Sequence, residues 1–186
     1  MDIKTLQDDA RTRMHASVEA VRRELSQMRT GRASLAMIDG IRVDYYGTPT
    51  PLNQVGNLSI PDPTLITIQP WEVSLIGAIE KAVRSAGLDL NPQNDGKLIR
   101  IPVPQLTEER RKLLVKTAHK HAEEGRVAIR NVRRKAKEQL DRMIKDGDSG
   151  EDEVRRAEKE LDDTTHKYVS VVDELVKHKE AELLEV

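Results

Sequence analysis

The chain has 186 residues, 31 Lys and Arg against 32 Asp and Glu for a formal net charge of −1, and no Cys. That length buries one or two modest cores, and the lack of Cys excludes a disulfide scaffold, a thiolate nucleophile and a cysteine-based zinc site. No apolar run approaches the roughly 20 residues of a membrane helix, and Met1-Asp2-Ile3-Lys4 leads into an amphipathic segment rather than a signal or transit peptide, so a cytoplasmic protein with no membrane partner is expected.

The first predicted element is an amphipathic helix from about Asp2 to Arg29, with Met14, Val18, Val21, Leu25 and Met28 at alternating steps of four and three. Residues 30–104 break that period: Pro and Gly cluster, charge is sparse, and short alternating runs appear. Residues 41–45 have period two and then meet a turn expected over residues 47–51. Residues 55–60, 65–69 and 98–103 are further strand candidates, and residues 73–86 read as one short helix stopped by Gly87. A second long helix begins after Leu106, with Thr107 as its expected N-cap and Glu108 and Glu109 at the positive end of its dipole, and runs to about Lys145 with Gly125 inside it at some cost. A third follows residues 146–150, capped by Ser149, with Val154, Ala157, Leu161, Tyr168, Val171 and Leu175 at near-heptad spacing.

None of the three long helices can bury its stripe alone. The fold class expected is α+β in two domains: an elongated antiparallel three-helix bundle built from residues 1–29 and 105–186, with a small α+β domain, residues 30–104, inserted in it. The chain crosses between domains twice, at Thr30, Gly31 and Arg32 and again at Pro102, Val103 and Pro104 up to residue 105. Two short connectors side by side make a hinge of limited freedom.

Little in the chain suits bond-breaking chemistry. It has no Gly-x-x-x-x-Gly-Lys loop and no Gly-x-Ser-x-Gly elbow. His119 and His121 point to different faces of a helix, Asp162 with His166 reads as a surface ion pair, and His15 and His178 have no evident partners. Asp146-x-Asp148 opens like a calcium loop, but position 157, where the closing Glu belongs, is Ala. No enzyme activity, no metal and no cofactor are expected.

The near-neutral total conceals an asymmetry. Residues 105–147 carry thirteen Lys and Arg against seven Asp and Glu, whereas residues 148–186 carry six against thirteen. Within the basic stretch, Arg126, Arg130, Arg133 and Lys137 fall at steps of four, three and four, so they form one ridge beside the apolar stripe of Ile129, Val132, Ala136, Leu140 and Met143. Arg grips phosphate bidentately where Lys acts as a point charge. The ridge is therefore expected to face outward as a rail for structured nucleic acid, with Arg134, Arg110 and Arg29 adding charge nearby. The alternative is a helix face paired with acids of the third helix. Three Tyr, one Trp and no Phe argue against a platform for single-stranded bases, and Trp71, Tyr45 and Tyr46 are expected in the core or turns of the small domain.

Four motifs in order carry a resemblance: Met28-Arg29-Thr30-Gly31-Arg32-Ala33-Ser34, Tyr45-Tyr46-Gly47-Thr48-Pro49-Thr50-Pro51-Leu52, Leu106-Thr107-Glu108-Glu109-Arg110-Arg111-Lys112 and Arg126-Val127-Ala128-Ile129-Arg130-Asn131-Val132-Arg133-Arg134. With the closing Lys179-Glu180-Ala181-Glu182-Leu183 they cover essentially the whole length, and the chain resembles ribosome recycling factors of the bacterial form. Lys135 and Lys137 depart from the family by making this helix more basic. The resemblance implies a monomeric, two-domain translation factor with dimensions like those of transfer RNA. Such a factor binds the post-termination ribosome and, with elongation factor G and GTP, splits it into subunits. It implies that the bundle lies on large-subunit ribosomal RNA, near the peptidyl-transferase region and the inter-subunit bridges. Ribosomal RNA contact then falls first to Arg133, followed by Arg130, Arg134, Arg126 and Lys137, with Arg29 and Arg110 as lesser members. A rival reading is a three-helix adaptor whose small domain binds a peptide, which requires an exposed apolar surface. A hydrolase is a distant third.

Overall fold

The computed structural model describes residues 2–185. In chain order the helix α1 (Ile3–Gln27) leads to the strands β1 (Arg42–Tyr45), β2 (Thr48–Pro51), β3 (Gly56–Asp62) and β4 (Leu65–Pro70), then to α2 (Ile76–Ser85). Strands β5 (Gln93–Asn94) and β6 (Ile99–Pro102) precede the long helices α3 (Glu108–Lys145) and α4 (Glu151–Leu184). Two compact units result: one takes the residues up to Arg29 and from Glu108 onward, the other is Thr30–Thr107. The return boundary falls at Thr107 rather than at residue 104, because Leu106 stays with the smaller unit. A Cβ on Gly31 would sit 3.3 Å from Leu106 Cγ, and Gly31 itself has φ +76°. The outgoing and returning strands of chain thus touch within that unit, at a position only glycine occupies without strain.

The larger unit is the three-helix bundle. The Asp2 carboxylate accepts the Thr5 N–H at 2.7 Å and caps α1. Ser149 does not cap α4 as expected. Gly150 holds the N-cap without a side-chain bond, while the Asp148 and Ser149 N–H groups donate to the Met143 carbonyl and close the end of α3. Glu151, Asp152 and Glu153 instead place negative charge in the first turn of α4. The core joins Leu6, Met14, Val18, Val21 and Leu25 of α1 to Ala118, Ala122, Ile129, Val132, Ala136 and Leu140 of α3. On α4 the stripe follows Val154, Ala157 and Leu161 as expected, then shifts: Thr165, Val172 and Val176 are buried, and Tyr168, Val171 and Leu175 only partly so. A heptad repeat drifts about 20° per seven residues on a straight helix, so the buried face moves off the heptad positions. The Thr165 hydroxyl donates to the Leu161 carbonyl at 2.7 Å, which satisfies it inside the core. Gly125 explains the close approach of α1 and α3, since a Cβ there would lie 2.2 Å from Val21 Cγ2.

The smaller unit pairs a two-stranded sheet, β1–β2, with an antiparallel sheet in the order β3-β4-β6-β5. Its core gathers Ile38, Val43, Val55, Ile66, Ile68, Ile79, Val83, Ile99 and Ile101. Residues 48–51 form a strand rather than the expected turn, and only Tyr46 and Gly47, at φ 50° and 83°, make the reversal. Pro49 and Pro51 stand at alternate positions opposite Asp44 and Arg42, so the missing N–H groups fall on the side away from β1. Val103 is buried and its N–H donates to the Thr64 carbonyl at 2.8 Å, which ties this expected hinge residue into the small unit. Tyr45, at the end of β1, is half-buried against the core of the unit, whereas Tyr46 and Trp71 lie in turns and are 78% and 68% exposed.

Candidate nucleic-acid interface

The ridge on α3 is built by helix phase. Arg126, Arg130, Arg133 and Lys137 each follow a buried residue, Gly125, Ile129, Val132 and Ala136, by one position. At about 100° per residue that puts them on the rim of the core stripe, at the seam with α4. On α4, Glu158, Asp162 and Asp173 likewise each follow a buried residue, Ala157, Leu161 and Val172. Two rims of opposite charge therefore meet along an antiparallel seam.

The expected free rail is consequently a ladder of ion pairs. Lys137 Nζ lies 3.5 Å from Glu158, Arg133 Nε donates to Asp162 at 2.5 Å, and Arg126 Nε donates to Asp173 at 2.7 Å. Arg126 also reaches Glu123 at 3.0 Å, and Arg130 pairs with the other oxygen of Glu123. Arg130 thus pairs within its own helix and not across the seam. The pairs are not sealed from water. The Arg130 side chain is 55% and that of Arg133 41% exposed, and only Arg126, at 19%, is largely covered. The bond to Asp162 raises the Arg133 pKa against the cost of desolvation, and the same bond lowers that of Asp162. At Arg126 burial opposes the charge, but the bonds from Asp173 and Glu123 outweigh it and the pKa rises. Glu123 is lowered by its bonds to Arg126 and Arg130.

The remaining expected contact residues divide differently. Arg134 points away from the seam, is exposed, and has no carboxylate partner among the described residues; Arg29 is also exposed, just beyond α1. Arg110 lies exposed in the first turn of α3. The other rim of the α3 stripe borders α1, where a groove is lined by Arg13, Lys135 and Arg142 together with Asp9 and Glu138. Its charge is mixed, as that of the ladder is.

Asp162 pairs with Arg133 rather than with His166 as expected. His119 instead bonds Glu180 at 3.0 Å, and His178 lies 3.3 Å from Glu182. Among the described residues no group of three His, Asp or Glu converges as a metal site, and no helix is long and apolar enough to cross a membrane. Of the acids of the ladder, Asp162 is expected from the sequence with His166 and not with Arg133, and Glu158 and Asp173 are not singled out there. Their signal was available in the shared phase of Glu158, Asp162 and Asp173, one residue past the α4 stripe.

Comparison with known proteins gives a consistent result. The family model described as ribosome recycling factor matches residues 21–184. A ribosome-recycling factor of Saccharopolyspora erythraea is 57% identical over 94% of both chains, and one of Mycobacterium avium is 54% identical over 96% of both. A solution structure of a ribosome recycling factor superposes with a TM-score of 0.74 at 41% identity, covering 100% of this chain and 99% of that one. A second structure, described as models for the T. thermophilus ribosome recycling factor and the E. coli elongation factor G bound to the E. coli post-termination complex, gives a TM-score of 0.62 at 43% identity over 100% of both chains.

Proposed function

The chain belongs to the ribosome recycling factor family, and on that premise we propose that it binds the post-termination ribosome in the cytoplasm and, with elongation factor G and GTP, splits it into subunits. The observation that carries this reading is the near full-length match to relatives bearing that name. The chain itself breaks no bond. It supplies binding energy for a ribosome conformation with weakened inter-subunit contacts, and a ligand shifts such an equilibrium only by its differential affinity for the two states.

The ladder on α3 is the source of that affinity. Exposed ion pairs stabilise a fold by only about 0–1 kcal/mol each, so ribosomal RNA phosphates can replace the carboxylates at little cost. Arg133 and Arg130, half-exposed, exchange most readily; Arg126, covered by Asp173, serves more to hold the seam. Arg134 offers a charge that needs no exchange. Lys137, Arg110 and Arg29 extend the field at its ends. The connectors at Thr30, Gly31 and Arg32 and at Pro102, Val103 and Pro104 let the small unit move while the bundle stays bound; with Val103 fixed, the freedom of the return connector lies beyond it.

A splitting assay tests the reading. Purified chain, elongation factor G and GTP added to vacant ribosomes are expected to lower light scattering as subunits separate, and the chain or the GTPase alone to leave it high. Unchanged scattering with all components present removes the proposal.

A further inference from the structure

The ladder between α3 and α4 has a gap, and a histidine stands in it. The α3 ridge runs Arg126, Arg130, Arg133 and Lys137 at steps of four, three and four. The facing rim of α4 runs Asp162, His166, Val169 and Asp173 at the same steps, with Glu158 one turn earlier. His166 follows buried Thr165 by one position, as Asp162 follows Leu161 and Asp173 follows Val172. Three rungs cross the seam: Lys137 to Glu158, Arg133 to Asp162 and Arg126 to Asp173. Between the last two, the ridge contributes Arg130 and the α4 rim contributes His166 and Val169.

Arg130 crosses to no acid there. It shares Glu123 of its own helix with Arg126, and at 55% exposure it is the most open guanidinium of the ladder. His166 is exposed and makes no hydrogen bond or ion pair among the described residues. It lies within electrostatic reach of the neighbouring rung. The Asp162 carboxyl is lowered first by its bond to Arg133, burial opposes, and the charges of Arg133, Lys137 and His166 add to the lowering.

The residue type suits an adjustable site. A carboxylate in the gap would complete the rung and repel phosphate, and a Lys or Arg would set a permanent like charge beside Arg130. A protonated imidazole donates from both ring nitrogens, and a phosphate beside it favours that charged form. Binding then takes up a proton. It strengthens as pH falls through the range of about 5 to 8 in which imidazoles titrate, and the gain is lost above that range.

The surroundings leave the balance to the imidazole. The charges flanking the gap are Glu123, Arg126, Arg130 and Arg133 on α3 and Asp162, Asp163, Lys167 and Asp173 on α4. Four are positive and four negative, so one proton on His166 tips the gap to net positive. Helix α1 meets α4 along the opposite rim, where Gln7 bonds Glu160 and His15 lies against Tyr168, and Arg11 and Arg22 of that helix pair with Asp8 and Glu19.

We propose that His166 is a second, pH-dependent ligand for the ribosomal RNA phosphate taken by Arg130. This deepens the function proposed above and rests on it: Arg130 supplies a constant charge to the RNA site, and His166 supplies one that pH adjusts.

The test measures equilibrium binding of labelled chain to large ribosomal subunits at about pH 6 and about pH 8, across salt concentrations, for wild type, His166→Gln and His166→Asp. The ribosome and the other four histidines titrate in every sample, so the readout is the difference between wild type and His166→Gln. Wild type is expected to gain up to about fivefold more affinity than the Gln variant on going to the lower pH. Its slope of log affinity against log salt is expected to steepen there by about one, as one more phosphate is neutralised. His166→Asp gives Arg130 the missing acid, and is expected to melt at or above the wild-type temperature yet bind more weakly at both pH values. The same pH response and salt slope in His166→Gln as in wild type overturns the proposal, as does wild-type affinity in His166→Asp. A wild-type chain that fails to bind large subunits at either pH is a different result, and removes the RNA-binding function together with this ligand.

Discussion

Arg133 and Asp162 form a bond that joins α3 to α4 and that, under the proposed function, gives way to phosphate. The pair sits at the rim of the α3–α4 seam, with both side chains less than half exposed, and each partner stabilises the charged form of the other. The lowered pKa of Asp162 means that its contribution to stability is present above its unfolded value, near 3.8, and fades as pH falls through the folded value. Near neutrality the pair is fully charged, so phosphate must compete with a carboxylate for Arg133. Asp162→Asn removes the competitor and keeps the shape. Ribosome binding of that variant is expected to tighten by up to about fivefold, the measure of one surface pair. Weaker binding, measured at equilibrium with labelled chain, would mean that Asp162 aims the guanidinium and does not merely occupy it.

At the scale of elements, the seam between α1 and α3 depends on a missing side chain. Gly125→Ala gains about 1 kcal/mol of helix propensity. Against that, the new Cβ would lie 2.2 Å from Val21 Cγ2, and overpacking of this kind costs about 1–3 kcal/mol. The variant is expected to melt below the wild-type chain, and adding Val21→Ala to restore much of the loss; a Gly125→Ala chain more stable than wild type would show that the helices can part freely. The helices themselves were legible because Met14, Val18, Val21 and Leu25, or Ile129, Val132, Ala136 and Leu140, repeat at helical spacing over many turns. The reason for Gly125 was not legible, since a close approach belongs to two helices and the sequence shows one at a time. The hairpin of residues 42–51 misled for a local reason: Pro49 and Pro51 signal a turn unless the register that sends their nitrogens outward is known. The ridge residues were found, and their pairing was left open, because its partners lie about 20 to 50 residues away on α4.

For the whole molecule, the uneven charge is divided between the two units. The basic α3 and the acidic α4 meet as a ladder in the bundle, and the cation-free stretch between Arg42 and Lys81 falls in the small unit. The two units are joined by connectors that touch at Gly31 and Leu106. The claim on which this account turns is that the α3 ridge exchanges its carboxylates for ribosomal phosphates. It is tested by titrating the binding of the intact chain to large ribosomal subunits across salt concentrations, with Arg133→Gln beside wild type. Loss of one phosphate contact is expected to weaken binding and to reduce the slope of log affinity against log salt by about one; identical slope and affinity in the two proteins would contradict it.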